Sequence, residues 1–456
     1  MTYKSLDAGD GCARHARPAR LAILVVALGL MACGGGSTDT DIDAGVDAGL
    51  GGDRPMFTPE QSITFDGPRT VGEPDDEANY VFDDGELRTY ELELSDADLA
   101  SIDADPTAER YVVGTLRFED QELSPVGIRY KGSVGAFTGC VSGMDGFAPS
   151  GRKTCTKLSM KVKVNWESDD QLFYGLKKLQ FHAVNGDSSM MRDRLMYKFF
   201  RQMGVPAARA VHARLVINGQ YSGVYVLVEQ MDGRFTRSRF ADGDGNLYKE
   251  VWPTNMGGSV ASVQAMREGL KTNENDGPDG ASVEKIRRFA TEVTGASPGE
   301  RSDVLERWMD LEQTMRQVVV DRIALNDDGA YHWYCDETGC APHNFFWYEE
   351  VHSDRVYLLP WDMDHAMRIG HPVVEIADDW DETRFSCAPF THGVYGLQQV
   401  SAACDPILGA FATQQASYDE FAAEFLDGLF SADSVNADMA RWTDQIRDAL
   451  EEARAA

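Results

Sequence analysis

Apolar positions along this chain recur with two periods, and the change from one to the other divides it. Up to about residue 235 the alternation is mostly that of half-buried strands. Thr89–Leu94 alternates, Ser95 stands at the cap position of a short helix through Ile102, and Tyr111–Phe118 and Val126–Tyr130 read as further strands. Lys157–Val164 and Leu176–His182 continue the series. One long helix interrupts it. After the turn Asn185-Gly186-Asp187-Ser188-Ser189, apolar residues recur every four positions at Met191, Leu195, Phe199 and Met203, and Gly204-Val205-Pro206 ends the run. This stripe predicts a core helix. Val211–Ile217 and Tyr221–Val228 flank Asn218-Gly219, the strongest hairpin turn in the sequence. Helical patterns then dominate over 259–269, 282–294 and 304–325, and again over 417–430 and 436–454. Between these groups lie a short apolar strand, Val356–Leu359, and an irregular stretch running to Cys404. The order predicts an α+β architecture of two lobes, strand-rich over 87–235 and helical over 236–456, with any site in the cleft between them.

The two ends of this pattern differ in kind. Residues 1–32 carry Arg14, Arg17 and Arg20, an apolar run Leu21–Leu30 too short to span a bilayer, and Leu30-Met31-Ala32 before Cys33. This resembles a bacterial lipoprotein signal peptide, which makes Cys33 the expected lipidation site and membrane anchor. Gly34 follows it rather than an Asp, which in such lipoproteins favours the outer membrane. Residues 33–86 open as a Gly- and Asp-rich stretch with few apolar side chains, and read as a disordered tether. The net charge of −31 excludes a nucleic-acid backbone as partner. Export puts the remaining cysteines in an oxidising compartment, where Cys140 with Cys155 and Cys335 with Cys340 bracket Gly-containing loops and are the expected disulfides. The pairing of Cys387 and Cys404 is left open, and the spacings fit zinc poorly.

The chemistry concentrates between Asp321 and Met367. Asp327 and Asp328 end an apolar helical pattern, His343-Asn344 follows a loop, and the strand Val356–Leu359 runs into Pro360-Trp361-Asp362-Met363-Asp364. Carboxylates at the end of a buried strand need a cation or fixed donors to offset their desolvation. A loop Asp, a later Asn and a strand-end Asp are also the groups that orient a hydroxyl and hold Mg²⁺ on ATP in phosphoryl transfer. Upstream, Arg129-Tyr130-Lys131-Gly132-Ser133-Val134-Gly135 is a glycine turn with two cations, and Lys157, Lys161 and Lys163 alternate on the next strand. Backbone N–H groups of such a turn and a strand lysine can meet phosphate. Asp242-Gly243-Asp244-Gly245-Asn246 begins like a calcium loop, but Leu247 and Pro253 occupy the positions that demand Gly and Glu, so an EF-hand is rejected.

Several pieces in order (RYKGSVG, KLSMKVKV, NGQYSGVYVLVEQMD, HNFFWY and LLPWDMDHAM) resemble the CotH family, bacterial spore-coat-type proteins with an atypical protein-kinase-like fold. The resemblance covers about residues 88–370. It implies transfer of the ATP γ-phosphate to Ser or Thr of secreted or surface proteins with Mg²⁺, Mn²⁺ and Ca²⁺ being further metals to consider. It also implies Asp328, beside Asp327, as the catalytic Asp; Asp362, Asp364 and Asn344 on the metal; Gly132 and Ser133 over the phosphates; Lys157 or Lys161 against them; and Glu229 where a hinge meets adenine. Two alternatives remain, an inactive pseudokinase kept for display and a cation-stabilised surface or coat binding lipoprotein.

Overall fold

In the computed structural model, which describes residues 76–455 apart from 146–147, 274–281, 338, 369–379, 382–386 and 393–396, seven strands close into a barrel. The signal peptide, Cys33 and most of the tether lie outside the described residues. Strands β1 (Arg88–Leu94), β2 (Val112–Phe118) and β3 (Gln121–Tyr130) run antiparallel. A side hairpin, β4 (Val141–Asp145) and β5 (Ala148–Lys153), sits between the cysteines of the Cys140–Cys155 disulfide. The barrel continues through β6 (Met160–Lys163), β7 (Lys178–His182) and the hairpin β8 (Ala210–Ile217) with β9 (Gln220–Val228). Parallel pairing of β1 with β8 closes it. Asn218 and Gly219 both take positive φ, the backbone twist that a two-residue hairpin requires.

Strand alternation assigns the two faces of the barrel wall. Met160, Val162, Leu179, Phe181, Tyr225 and Leu227 fill the barrel. Val224, Val226 and Val228 point the other way, into a second core built mainly from the helical half. That outward face also carries Lys161, Gln180 and His182, in register with one another and with β9, and all three are buried. The helix Arg192–Gln202 contributes Leu195 and Phe199 to the second core, with Met191 and Met203 at its two ends, as the four-residue repeat predicts, and Phe200 joins them.

The rest is α+β. Strands β10 (Asn246–Lys249), β13 (Phe345–Glu349) and β14 (Val356–Pro360) form one sheet; β11 (Trp333–Cys335), β12 (Cys340–Ala341), β15 (Phe390–His392) and β16 (Leu397–Val400) form another. Two of its strands, β15 and β16, lie in the stretch that reads as irregular in sequence, and β11 and β12 lie in the segment that reads as a loop before His343. It is tied by Cys335–Cys340 and Cys387–Cys404, so both expected disulfides form and the open pair joins. Helices Val263–Glu268, Glu284–Gly295, Gln415–Asp427 and Ala432–Ala455 lie within or overlap their predicted stretches. The single helix expected over 304–325 is instead two, Arg301–Trp308 and Leu311–Ile323. Asp310 breaks it, because its carboxylate accepts from Gln313 N–H at 2.9 Å and so starts a new helix. Among the described residues no helix is long and apolar enough to cross a membrane.

Candidate functional site

The helix Leu311–Ile323 is buried along almost its whole length and delivers Asp327 and Asp328 on the loop that follows. That loop is braced from within. Asp321 accepts from Arg322 Nε at 3.1 Å and from Asn326 Nδ2 at 2.8 Å, and Arg322 also donates to the Asn326 carbonyl. Gly329 is required here: a Cβ would come within 2.4 Å of Asn326 Nδ2 and 2.6 Å of Asp321 Oδ2. Tyr334, beside the Cys335–Cys340 disulfide, donates its hydroxyl to the Asp327 carbonyl at 2.7 Å.

The antiparallel pair β13–β14 brings the second set of groups to the same place. Phe345 faces Pro360 across the ladder, so Asn344 and Asp362 emerge from paired strand ends although far apart in sequence. Both take positive φ (55° and 56°), uncommon for residues with a Cβ and concentrated at functional sites. Trp361 N–H donates to the Asn344 carbonyl at 3.2 Å. Asn344 Nδ2 in turn reaches both the carbonyl and Oδ2 of Asp328, each at 2.9 Å. The side chain expected to act and the one expected beside it are therefore joined by a direct hydrogen bond.

Charge among these residues is poorly compensated. Asp327 is 1 % exposed and neither carboxylate oxygen has a hydrogen-bond partner; its closest cation is His365, with Nδ1 3.3 Å from Oδ1. Burial, then the Asp327 and Asp362 charges, push Asp328 above the usual carboxylate range, against the pull of His365 and His343. Asp364 stands exposed at the mouth, where partial loss of hydration and the Asp362 charge raise it to about 7. His365 would be lowered by burial, yet its contact with Asp327 and the charges of Asp328 and Asp364 raise it to about 9. A carboxylate set that raises its members' proton affinities is a set short of positive charge.

Opposite the aspartates, the barrel wall supplies a row that single-sequence reading did not assemble. Lys131 Nζ lies 2.9 Å from His182 Nε2, and His182 Nδ1 lies 3.0 Å from Asp193 Oδ2 on the helix Arg192–Gln202. The Trp361 ring packs beneath, 5.8 Å from the Lys131 ammonium and edge-on to His182. Asp362 N–H donates to the buried Tyr197 hydroxyl at 3.1 Å, tying that helix to the aspartate strand.

The other expected residues lie in varied surroundings. Lys161 is buried on the outward face of the barrel, beside Gln180 in the ladder. Lys157 Nζ donates to the Val224 carbonyl at 2.6 Å and sits over the Tyr225 ring, 5.1 Å from its centroid. In the glycine turn, Gly132 N–H is taken by Glu109 Oε1 at 2.7 Å, while Ser133 is exposed and its carbonyl accepts from Ala136 N–H. Glu229 belongs to a separate cluster. Its carboxylate accepts from Arg209, Arg234 and Arg239, and its N–H donates to the Arg209 carbonyl.

Among the described residues no three His, Cys, Asp or Glu side chains are gathered closely enough to hold a metal ion by themselves. Magnesium does not ask for that, since it is commonly held by one or two carboxylates together with substrate phosphates. The donor set here is hard oxygen, and the several carboxylates outnumber the His365 cation beside them, which is the chemistry such an ion asks for.

The profile of the CotH kinase protein family matches residues 128–456 of this chain. Two curated relatives are similar over short stretches. The inner spore coat protein H-like protein of Bacillus subtilis is 40% identical over 67 residues, 15% of this chain and 21% of the relative. Inner spore coat protein H of the same organism is 33% identical over 72 residues, 16% and 20% of the two chains. The matched part thus spans about a fifth of each relative.

Proposed function

This chain belongs to the CotH family, and from that premise we propose that it is an exported, lipid-anchored protein kinase, transferring the ATP γ-phosphate to Ser or Thr of secreted or surface proteins with Mg²⁺. The observation that carries the reading is the convergence of Asp328, Asn344, Asp362 and Asp364 beside the buried Asp327, a set of carboxylates that meets His365 as its close cation. The α+β fold is read as the two lobes of an atypical kinase, the barrel above and the helical half below.

In this reading Asp328 accepts the hydroxyl proton of the acceptor residue, with Asn344 fixing the carboxylate through its 2.9 Å bond. Asp362 and Asp364 would hold the metal, which would supply positive charge to the phosphates. Asp327, behind them, raises the negative potential that favours a cation. The raised proton affinity of Asp328 suits a general base, since proton acceptance improves as the pKa approaches working pH. The three disulfides fit an oxidising compartment. Export through the segment ending at Cys33, with anchoring at the outer membrane, is the accompanying proposal. A second reading, a family member that binds without transferring phosphate, is favoured by Gly132, whose N–H is engaged by Glu109 rather than free for a phosphate.

Phosphate incorporation from labelled ATP separates the two. Asp328→Asn and Asp362→Asn should each lower incorporation by at least about 100-fold, within the range general-base groups contribute, with a melting temperature no lower than that of the wild type. Activity that survives both substitutions excludes the kinase reading.

A further inference from the structure

Lys131, His182 and Asp193 form a linear array on the barrel side of the cleft, and the roles already assigned make no use of it. Its hydrogen bonds fix its protonation. Lysine has no acceptor, so His182 Nε2 must offer a lone pair to the ammonium at 2.9 Å, and Nδ1 must carry the hydrogen given to Asp193 at 3.0 Å. The imidazole is therefore neutral. Exposure follows the same order: Asp193 and His182 are 1% and 7% exposed, whereas Lys131 is half-buried and opens to the cleft.

We propose that Lys131 is the lysine that receives the nucleotide's phosphate oxygens in this protein, and that His182 and Asp193 are positioning residues which hold its ammonium without cancelling its charge. The proposal rests on the kinase reading above. A carboxylate placed directly on the lysine would neutralise it. A neutral imidazole takes one of its three hydrogens and leaves the charge and two donors for an anion. Asp193 keeps the ring in the correct tautomer from the far side, where the imidazole separates it from the ammonium. Trp361 below fixes the height of the side chain, and Asp362 faces it as the source of the metal's side of the same phosphates. Burial lowers Lys131 to about 8 and Lys249 adds repulsion, but Asp362 and Glu109 act the other way, so it is mainly charged near neutral pH. Lys157 cannot serve equally, because its ammonium is turned onto the Val224 carbonyl and the Tyr225 ring. Lys161 is the competitor, on the same outward face but only 8% exposed.

Calorimetry on the full chain with Mg²⁺ and the non-hydrolysable analogue AMP-PNP, set beside adenosine, tests this. Lys131→Met should weaken AMP-PNP at least tenfold and leave adenosine unchanged, a difference that general loss of structure would not produce. Lys131→Arg should restore at least half of the lost binding. His182→Gln and Asp193→Asn should raise the KM for ATP more than they lower kcat. If Lys131→Met binds AMP-PNP like the wild type while Lys161→Met does not, the assignment is overturned and the kinase reading stands. If the wild type binds neither analogue nor adenosine, the kinase reading fails and the proposal with it.

Discussion

Glu229 and Asp327 are both 1% exposed carboxylates, and their surroundings could hardly differ more. Glu229 is clasped by Arg209, Arg234 and Arg239. Although burial would raise it, those arginines hold it well below the usual carboxylate range. Asp327 has no hydrogen-bond partner on either oxygen and one histidine beside it. A carboxylate fully paired by its own chain is complete and serves the fold. One that shares a single histidine cation with several other carboxylates leaves excess negative charge inside the protein, which costs stability until something outside the chain offsets it. The contrast separates a structural ion cluster from a site in a protein whose acidity alone distinguishes neither.

The largest expected effect breaks the first half of that comparison. Glu229→Ala leaves three arginines without their shared partner and should destabilise the protein by about 3–5 kcal/mol, read as a shift in the urea midpoint. Removing charge in the cleft should act in the opposite direction. Asp364→Asn should raise the melting temperature of the metal-free protein slightly, since it relieves repulsion at an exposed position. A smaller effect sharpens the same point through pH. His365 is raised from 6.5 to about 9, and Asp193, by burial and then by the Asp362 charge, from 3.8 to about 7, as is Asp364. Groups whose folded values are raised lose their stabilising contribution as pH climbs through those values. The metal-free protein should therefore lose thermal stability as pH rises from about 4 to 9, the two aspartates acting up to about 7 and His365 from 6.5 to about 9, and Asp364→Asn should flatten the part of that slope below pH 7. A slope of the opposite sign would mean that the cleft is already compensated.

Much of this was legible in the sequence where it depended on local order. Asn218-Gly219 announces its hairpin, Met191 to Met203 its core stripe, and Pro360-Trp361-Asp362 a strand end carrying a carboxylate. The short-range disulfides followed from the loops they bracket. What stayed hidden depends on pairing across the sheet. Lys131 and His182 meet because β3, β6 and β7 are neighbours in the barrel, and Asp193 joins them because its helix packs on the outward face. Nothing in the spacing of those three residues signals a contact. Glu229 sits one residue past a strand and reads as a hinge position, yet its three arginines arrive from both sides of the chain to make it a junction. The Asp310 cap was visible as a residue type, but an apolar pattern on both sides of it outweighed the signal.

Thermal shift of the full chain with Mg²⁺ alone, ATP alone and the two together tests most directly whether the cleft is short of charge because it is built for a metal and a nucleotide. A ligand at about 100 times its dissociation constant adds roughly 2.7 kcal/mol, which is readily measured. The account predicts stabilisation by the pair well beyond the sum of either alone, abolished in Asp362→Asn. No shift with any of the three, or the same shift with Ca²⁺ and no nucleotide, would contradict it.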